Sequence, residues 1–289
     1  MEEMWSGAPH LLGANAEEFF VEVAPNISIR VLRWVPADSS ASSLDPAVVV
    51  PGWGSVFEGW RPLLTEWVSR RPIVYIETRE KKSSRITRKV RREDFEMRHH
   101  GHDVAAVLDK LGIDSNEVDW FSSSLGATLL IEAYQGGVLG GRSSILLAPN
   151  PDFEFPLWAR ILLKMPIPRF VHPSLMRFTV WLVDRRTKEE GQRIRYRRAL
   201  LAQDLQRMLL SARANIRYRL PDDLSAIRVP CAVMTASSDT LHDIDKVLGI
   251  VERIPDAVLV EVPSNQYAHE AGVLVEIEEF QSSMGNRPI

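Results

Sequence analysis

The 289-residue sequence predicts an α/β protein: a mostly parallel sheet covered by helices on both faces, with an antiparallel hairpin at one edge and a helical insertion late in the chain. Three observations predict it. Short apolar or near-apolar runs recur at 47–50, 73–76, 118–121 and 145–148, with little of the polar alternation of a half-exposed strand, as buried parallel strands require. Segments of helical period lie between them. From Asp152 to about Leu220 the strand signals stop, and the same rhythm resumes afterwards.

Taken in order, 19–23 and 27–35 alternate apolar with polar residues around Pro25-Asn26, which predicts the hairpin. Residues 39–45 read as a loop and 47–50 as a buried strand, while 60–69 carry helical spacing and 73–76 form the next strand. Residues 95–111 read as a helix with Val104, Val107, Leu108 and Leu111 on one face. Strand 118–121 leads through a turn into helix 125–134, and 145–148 is a further strand. In 152–220 prolines and bulky side chains take over at helical spacing. This predicts a lid, with Trp158, Leu162, Met165, Phe170, Phe178 and Trp181 mostly in its core. The α/β rhythm returns with strand 229–235, helix 243–253, strand 257–262 and a closing helix near 270–281. The expected division is 1–150 with 221–289 as the α/β body and 151–220 as the helical lid.

Composition narrows the function classes. The net charge of −3 gives no whole-chain case for nucleic acid binding. The single cysteine, Cys231, excludes an internal disulfide, fits a reducing compartment and reads as a buried small hydrophobe. The acidic start Met-Glu-Glu-Met-Trp lacks the basic residues of a signal peptide, and no run approaches the ~18 apolar residues of a membrane span, so a cytoplasmic location is expected. Charge is uneven: 152–219 hold 15 Lys/Arg against 6 Asp/Glu. That segment and the basic run 79–98 offer a weak attraction for an anionic surface, though a solvated helix face is the simpler reading of 79–98.

The chemistry centres on Ser124. In Ser122-Ser123-Ser124-Leu125-Gly126 an apolar strand ends, a turn of small residues follows and a helix begins, the pattern of a nucleophile elbow. Such a turn strains the central serine and exposes its hydroxyl. The positions two away, Ser122 and Gly126, must be small because the strand and helix backbones nearly touch. An activated serine needs a base, and the base an orienting carboxylate, both from loops at the carboxyl ends of strands. The strand at 229–235 runs into Asp239, and the strand at 257–262 runs towards His269. The glycine turn Pro51-Gly52-Trp53-Gly54 follows a third strand. It can aim the Trp53 N–H at developing negative charge, as can the N–H of Leu125 after the nucleophile.

With these residues in the order Ser124, Asp239, His269, the chain resembles the α/β-hydrolase superfamily, in particular capped, serine esterase- or lipase-like members with a helical insertion after the sixth strand. The resemblance spans nearly the whole length. It implies a carboxylic ester hydrolase working through an acyl-enzyme, with Ser124 as nucleophile, His269 as base, Asp239 as orienting acid, Trp53 and Leu125 as oxyanion donors, and Gly52, Gly54, Ser122 and Gly126 supporting the turns. No cofactor and no metal are implied, and the expected partner is a small ester with an apolar group. Three departures stand out. Pro51 replaces a common histidine, Ser122 replaces the commoner glycine, and Asn265-Gln266 occupies a stretch where many members carry Gly-His.

The base and the acid each have a rival in the sequence. His242 is a second candidate base, and Asp243 or Asp245 a second acid. His99, His100 and His102 form a histidine cluster of the kind that binds metal, but they read better as the start of a sheet-covering helix. A thioesterase or lactonase on the same triad, favoured by the basic insertion, and a non-catalytic ligand-binding homologue are the alternative functions.

Overall fold

The computed structural model describes residues 5–155, 157–165, 167–187, 189–236 and 244–285, so Asp239, His242 and Asp243 lie outside the described residues. The strands are β1 (Ala14–Ala24), β2 (Ile27–Pro36), β3 (Ala47–Val50), β4 (Ile73–Ile76), β5 (Arg85–Ile86), β6 (Asp119–Ser123), β7 (Ser143–Leu147), β8 (Cys231–Ala236) and β9 (Val258–Val262). They form one sheet in the order β1-β2-β4-β3-β6-β7-β8-β9, with β5 paired to β2. β1 and β2 make the hairpin, turning at Asn26 with φ 64°, and β2 meets β4 antiparallel. Every other pairing along the sheet, from β4 through β3, β6, β7 and β8 to β9, is parallel. The carboxyl ends of these parallel strands therefore share one edge.

The apolar runs behave as buried strands because both of their faces are covered. On one face Val48, Val50, Trp120 and Leu146 pack with Val104, Val107, Leu108 and Leu130 of α3 (Met97–Leu111) and α4 (Leu125–Gln135). On the other, Val49, Tyr75, Phe121 and Ile145 pack with Leu64 and Trp67 of α2 (Arg61–Trp67) and Ile277 and Phe280 of α10 (Leu274–Gly285). Cys231 is buried in this body, where lost solvation pushes its thiol up to about 12 and leaves it a hydrophobe rather than a nucleophile. No helix among the described residues is long and apolar enough to cross a membrane.

Between β7 and β8 the chain forms α5 (Leu157–Lys164), α6 (His172–Arg186), α7 (Glu190–Ala202) and α8 (Leu205–Asn215). Its two ends meet: Asp152 and Arg219 bridge, and Leu220 N–H donates to Pro151 O at 2.7 Å. The insertion follows the sixth of the longer strands. The two-residue β5 makes it the seventh in chain order.

Three local expectations differ from the structure. Residues 39–45 are not wholly loop: α1 (Ser39–Ser42) forms because the Asp38 side chain accepts from the N–H groups of Ser40 and Ala41. The apolar stripe of the insertion is not mostly core. Met165 and Phe170, in the segment between α5 and α6, are 53% and 83% exposed, and on α6 Phe178 and Trp181 are 44% and 48% exposed because that helix buries its Val180 side instead. The Trp158 side chain lies outside the described set. The basic run 79–98 is only in part the solvated face expected: it is mostly loop and short turns, and Lys82, Arg85, Arg88, Lys89, Arg91, Arg92 and Arg98 are exposed, but two of its cations are not. Arg79 is buried in a bidentate pair with Asp103, and Lys81 is wholly buried.

That buried layer includes His100 of α3, whose two ring nitrogens have no hydrogen-bond partner among the described residues. Burial depresses its pKa from 6.5 to about 4; Glu80 opposes the shift, while Arg79, Lys81 and His99 reinforce it. The folded state thus refuses a proton that the unfolded chain accepts, and stability is lost as pH falls from about 6.5 towards 4. Urea unfolding of His100→Phe should show roughly 2 kcal/mol less loss than wild type between pH 7 and about 4.5. Equal losses in the two proteins would exclude His100 as the cause.

Candidate active site

The carboxyl edge of the sheet positions the candidate residues. Between β6 and α4, Ser124 has φ 49° and ψ −114°, a backbone conformation that side chains rarely adopt. Neighbouring bonds hold it there: its N–H donates to Leu147 O at 2.8 Å, and its carbonyl accepts from Thr128 N–H at 3.0 Å. Close packing sets the flanking residues. A Cβ on Gly126 would lie 2.2 Å from Val50 O and 2.8 Å from Pro51 O. Ser122 is fully buried, and its hydroxyl donates to Ile145 O at 3.3 Å, which is how a polar side chain fits where glycine is commoner. A Cβ on Gly52 would lie 3.2 Å from Ser124 Cβ, so the glycine turn packs directly on the nucleophile candidate. Gly54 has φ 62°, and a Cβ there would meet Met208 of α8 at 2.7 Å.

His269 ends a short 3-10 turn, Tyr267–His269, beyond β9. Its ring stacks on Trp60 with centroids 4.0 Å apart and planes at 24°. Its Nδ1 lies 2.8 Å from Asn265 O. A carbonyl can only accept, so Nδ1 carries the proton, and Nε2 is the basic nitrogen of the neutral ring. Asn265 is buried, and its side-chain oxygen accepts from Arg195 of α7 at 2.5 Å. Gln266 is used elsewhere: its N–H donates to Glu189 and its side-chain amide to Glu270, at 2.7 and 2.6 Å.

Ser124 and His269 line one cavity of about 400 Å³ together with Gly52, Trp53 and Gly54. Its walls are mainly apolar, from Val56, Trp60, Leu147 and Phe153 on the body and Leu200 and Met208 on the insertion. Leu125 opens α4, where the first N–H groups lack intrahelical acceptors and carry the positive end of the helix dipole. The Trp53 indole donates to Ser211 of α8 at 3.0 Å. Asp245 sits on α9 (Ile244–Val251) and is not among the lining residues. Among the described residues no group of three or more His, Cys, Asp or Glu could hold a metal ion.

One contributor was invisible in the sequence. Asn150 follows β7, and its side-chain amide donates to Ser124 Oγ at 3.0 Å. Its own N–H donates to the Thr128 hydroxyl at 2.8 Å, which ties it to α4. Its place just past the carboxyl end of a parallel strand was the available signal. Trp60, against which the His269 ring stacks, likewise carried no signal, and Asn265, whose carbonyl sets the tautomer, stood out only as a departure from the family pattern.

No protein-family model and no curated protein sequence matches the chain. Solved structures do. A thermophilic esterase from Thermogutta terrifontis superposes with a TM-score of 0.70 at 16% identity, covering 94% of this chain and 99% of that one. A 2-hydroxy-6-oxo-6-phenylhexa-2,4-dienoate hydrolase from Rhodococcus sp. strain RHA1 gives 0.69 at 13% identity, covering 95% and 100%. Est816, described as an N-acyl homoserine lactone degrading enzyme, gives 0.67 at 16%, covering 92% and 99%. At these identities the likeness is one of fold.

Proposed function

The chain has the α/β-hydrolase fold, and from the residues gathered at the carboxyl edge of its sheet we propose that it is a serine hydrolase cleaving carboxylic esters through an acyl-enzyme. One observation carries the reading: a serine in a strained elbow shares an apolar cavity with a histidine whose Nδ1 is committed as a donor, leaving Nε2 as the base. His269 Nε2 takes the Ser124 proton as Oγ attacks the ester carbonyl. The N–H groups of Leu125 and Trp53 receive the developing oxyanion. His269 then protonates the leaving alcohol, and water repeats the sequence on the acyl-enzyme. The apolar walls suit a small ester with an apolar acyl or alcohol group. Helices α5–α8 act as the cap over the site, with 1–150 and 221–289 as the body.

Asp239 is the proposed acid. Its carboxylate would stabilise the imidazolium that forms when His269 takes the Ser124 proton. Asp239→Asn should lower kcat by about 10⁴-fold, as neutralising the orienting carboxylate of such a triad does. Asn150→Ala, which removes one hydrogen bond orienting the serine hydroxyl, should lower kcat about 10-fold with little change in KM.

The decisive experiment combines labelling of Ser124 by a fluorophosphonate with turnover of short p-nitrophenyl esters, using Ser124→Ala as the control. A wild-type protein that neither reacts nor cleaves would overturn the proposal. Thioesters and lactones satisfy the same geometry. Comparing kcat/KM across esters, lactones and acyl-CoA, with and without salt, assigns the class, since binding of an anionic substrate by the basic insertion weakens as salt rises.

A further inference from the structure

Beneath the candidate oxyanion turn lies a wholly buried lysine. Lys81 follows β4 and is 0% exposed. Its ammonium donates to Gly52 O at 2.9 Å, Glu80 Oε1 at 3.0 Å and the Thr78 hydroxyl at 3.1 Å, which uses all three of its protons. A buried ammonium costs several kcal/mol to desolvate unless it is paired and fully bonded. Glu80 supplies the pairing. Burial disfavours its charge, but the Lys81 ammonium and the hydrogen bonds from Thr78 and Lys81 hold its carboxyl below the ordinary value.

The carbonyl that Lys81 holds belongs to the peptide joining Gly52 to Trp53; it also accepts from Ser55 N–H at 3.1 Å, a weaker neutral bond within the turn, so the ammonium supplies the charged and shorter of its two contacts. No described peptide is cis. In a trans peptide the C=O and N–H point in opposite directions. Drawing Gly52 O into the buried layer therefore turns the Trp53 N–H the other way, and Gly52, Trp53 and Gly54 all line the cavity beside Ser124. The cation also polarises the peptide and makes its N–H a stronger donor. Both sides of the turn are clamped: Gly54 N–H lies 3.4 Å from Glu80 Oε1, and Gly54 O accepts from Gln203 at 2.7 Å.

We propose that Lys81 is a positioning residue that holds the Gly52–Trp53 peptide with its N–H aimed at the developing oxyanion. The assignment rests on the serine-hydrolase reading for its catalytic consequence, but not for the peptide orientation itself. Lys81→Met should lower kcat about 10²-fold, as loss of one oxyanion donor does, while KM stays within about twofold. Affinity for a boronic acid that forms a tetrahedral adduct on Ser124 should fall by a similar factor. Because Lys81→Met strands the Glu80 charge, the paired variant Glu80→Gln/Lys81→Met, which removes both charges, should show the same losses. Lys82→Met, at the exposed neighbouring side chain, should behave as wild type.

Two readouts separate this proposal from the function on which it rests. A crystal structure of the paired variant reports the 52–53 peptide whether or not esters are cleaved. An unrotated peptide overturns the proposal. A wild-type structure carrying a phosphonate on Ser124 should place a phosphoryl oxygen about 3 Å from Trp53 N, and a longer distance, bridged by water, also overturns it. Failure of the phosphonate to react would count against the serine-hydrolase reading alone.

Discussion

Ser124→Ala and His269→Gln are each expected to lower kcat on an activated ester by about 10⁴–10⁶-fold, and the double variant is expected to lose no more than the worse single one. The reasoning is that the two side chains act as one unit. Without the hydroxyl there is no nucleophile for His269 to activate, and without a base at Nε2 the Ser124 hydroxyl is a poor nucleophile at neutral pH. Glutamine keeps much of the histidine's volume, and the ring packs on Trp60, so the substitution removes the base while holding most of the wall in place. KM should change little, because the apolar side chains that line the cavity are unchanged. Steady-state kinetics of the two single variants and the double form the test. Losses that multiply would mean that the two residues act independently and that the triad reading is wrong.

The sheet was legible in the sequence because buried parallel strands have to be apolar on both faces, and the short apolar runs 47–50, 73–76 and 145–148 alternate with segments of helical period. The elbow was legible for a related reason. Small residues at 122 and 126 on either side of Ser124 answer a backbone contact that the structure shows between α4 and β3. What stayed hidden depended on the tertiary meeting of polar groups. Asn150 reads as an ordinary loop residue until β7 is laid beside β6, and only then does its amide reach Ser124 Oγ. The Asn265-Gln266 stretch departs from the family pattern beside the candidate base. In the structure Asn265 contributes a backbone carbonyl, which any residue could supply, so side-chain identity carried no signal. Lys81 was misread for the opposite reason: a basic run ordinarily means solvent, and nothing local reveals that Glu80, Thr78 and the Gly52 carbonyl enclose it. Sequence patterns report burial of apolar groups well, because burial repeats with the period of the element. They report buried polar pairs poorly, because each pair is a single meeting of distant segments.

Gly126→Ala is expected to destabilise the fold by about 3 kcal/mol or more, the upper end of what overpacking costs, although it adds one methyl group to a residue in a helix. In a free helix the same change would be favourable by nearly 1 kcal/mol. The sign reverses because the added Cβ would sit 2.2 Å from Val50 O and 2.8 Å from Pro51 O. Both are backbone atoms, so no side chain can rotate away. Relief requires α4 to move off β3, yet Val50 is paired with Ser122 of β6, and the Ser124 N–H is held by Leu147 O. Moving α4 therefore loosens the elbow itself. The loss should appear in chemical denaturation as a lower midpoint at unchanged slope, together with a fall in the rate of fluorophosphonate labelling measured where the variant is still folded. Gly249→Ala on α9 is the matched control, because a Cβ there would meet nothing within 4 Å. It should be neutral or slightly stabilising. If Gly126→Ala matched that control in stability and labelling, the close approach of helix and strand would not be what holds Ser124 in its strained conformation.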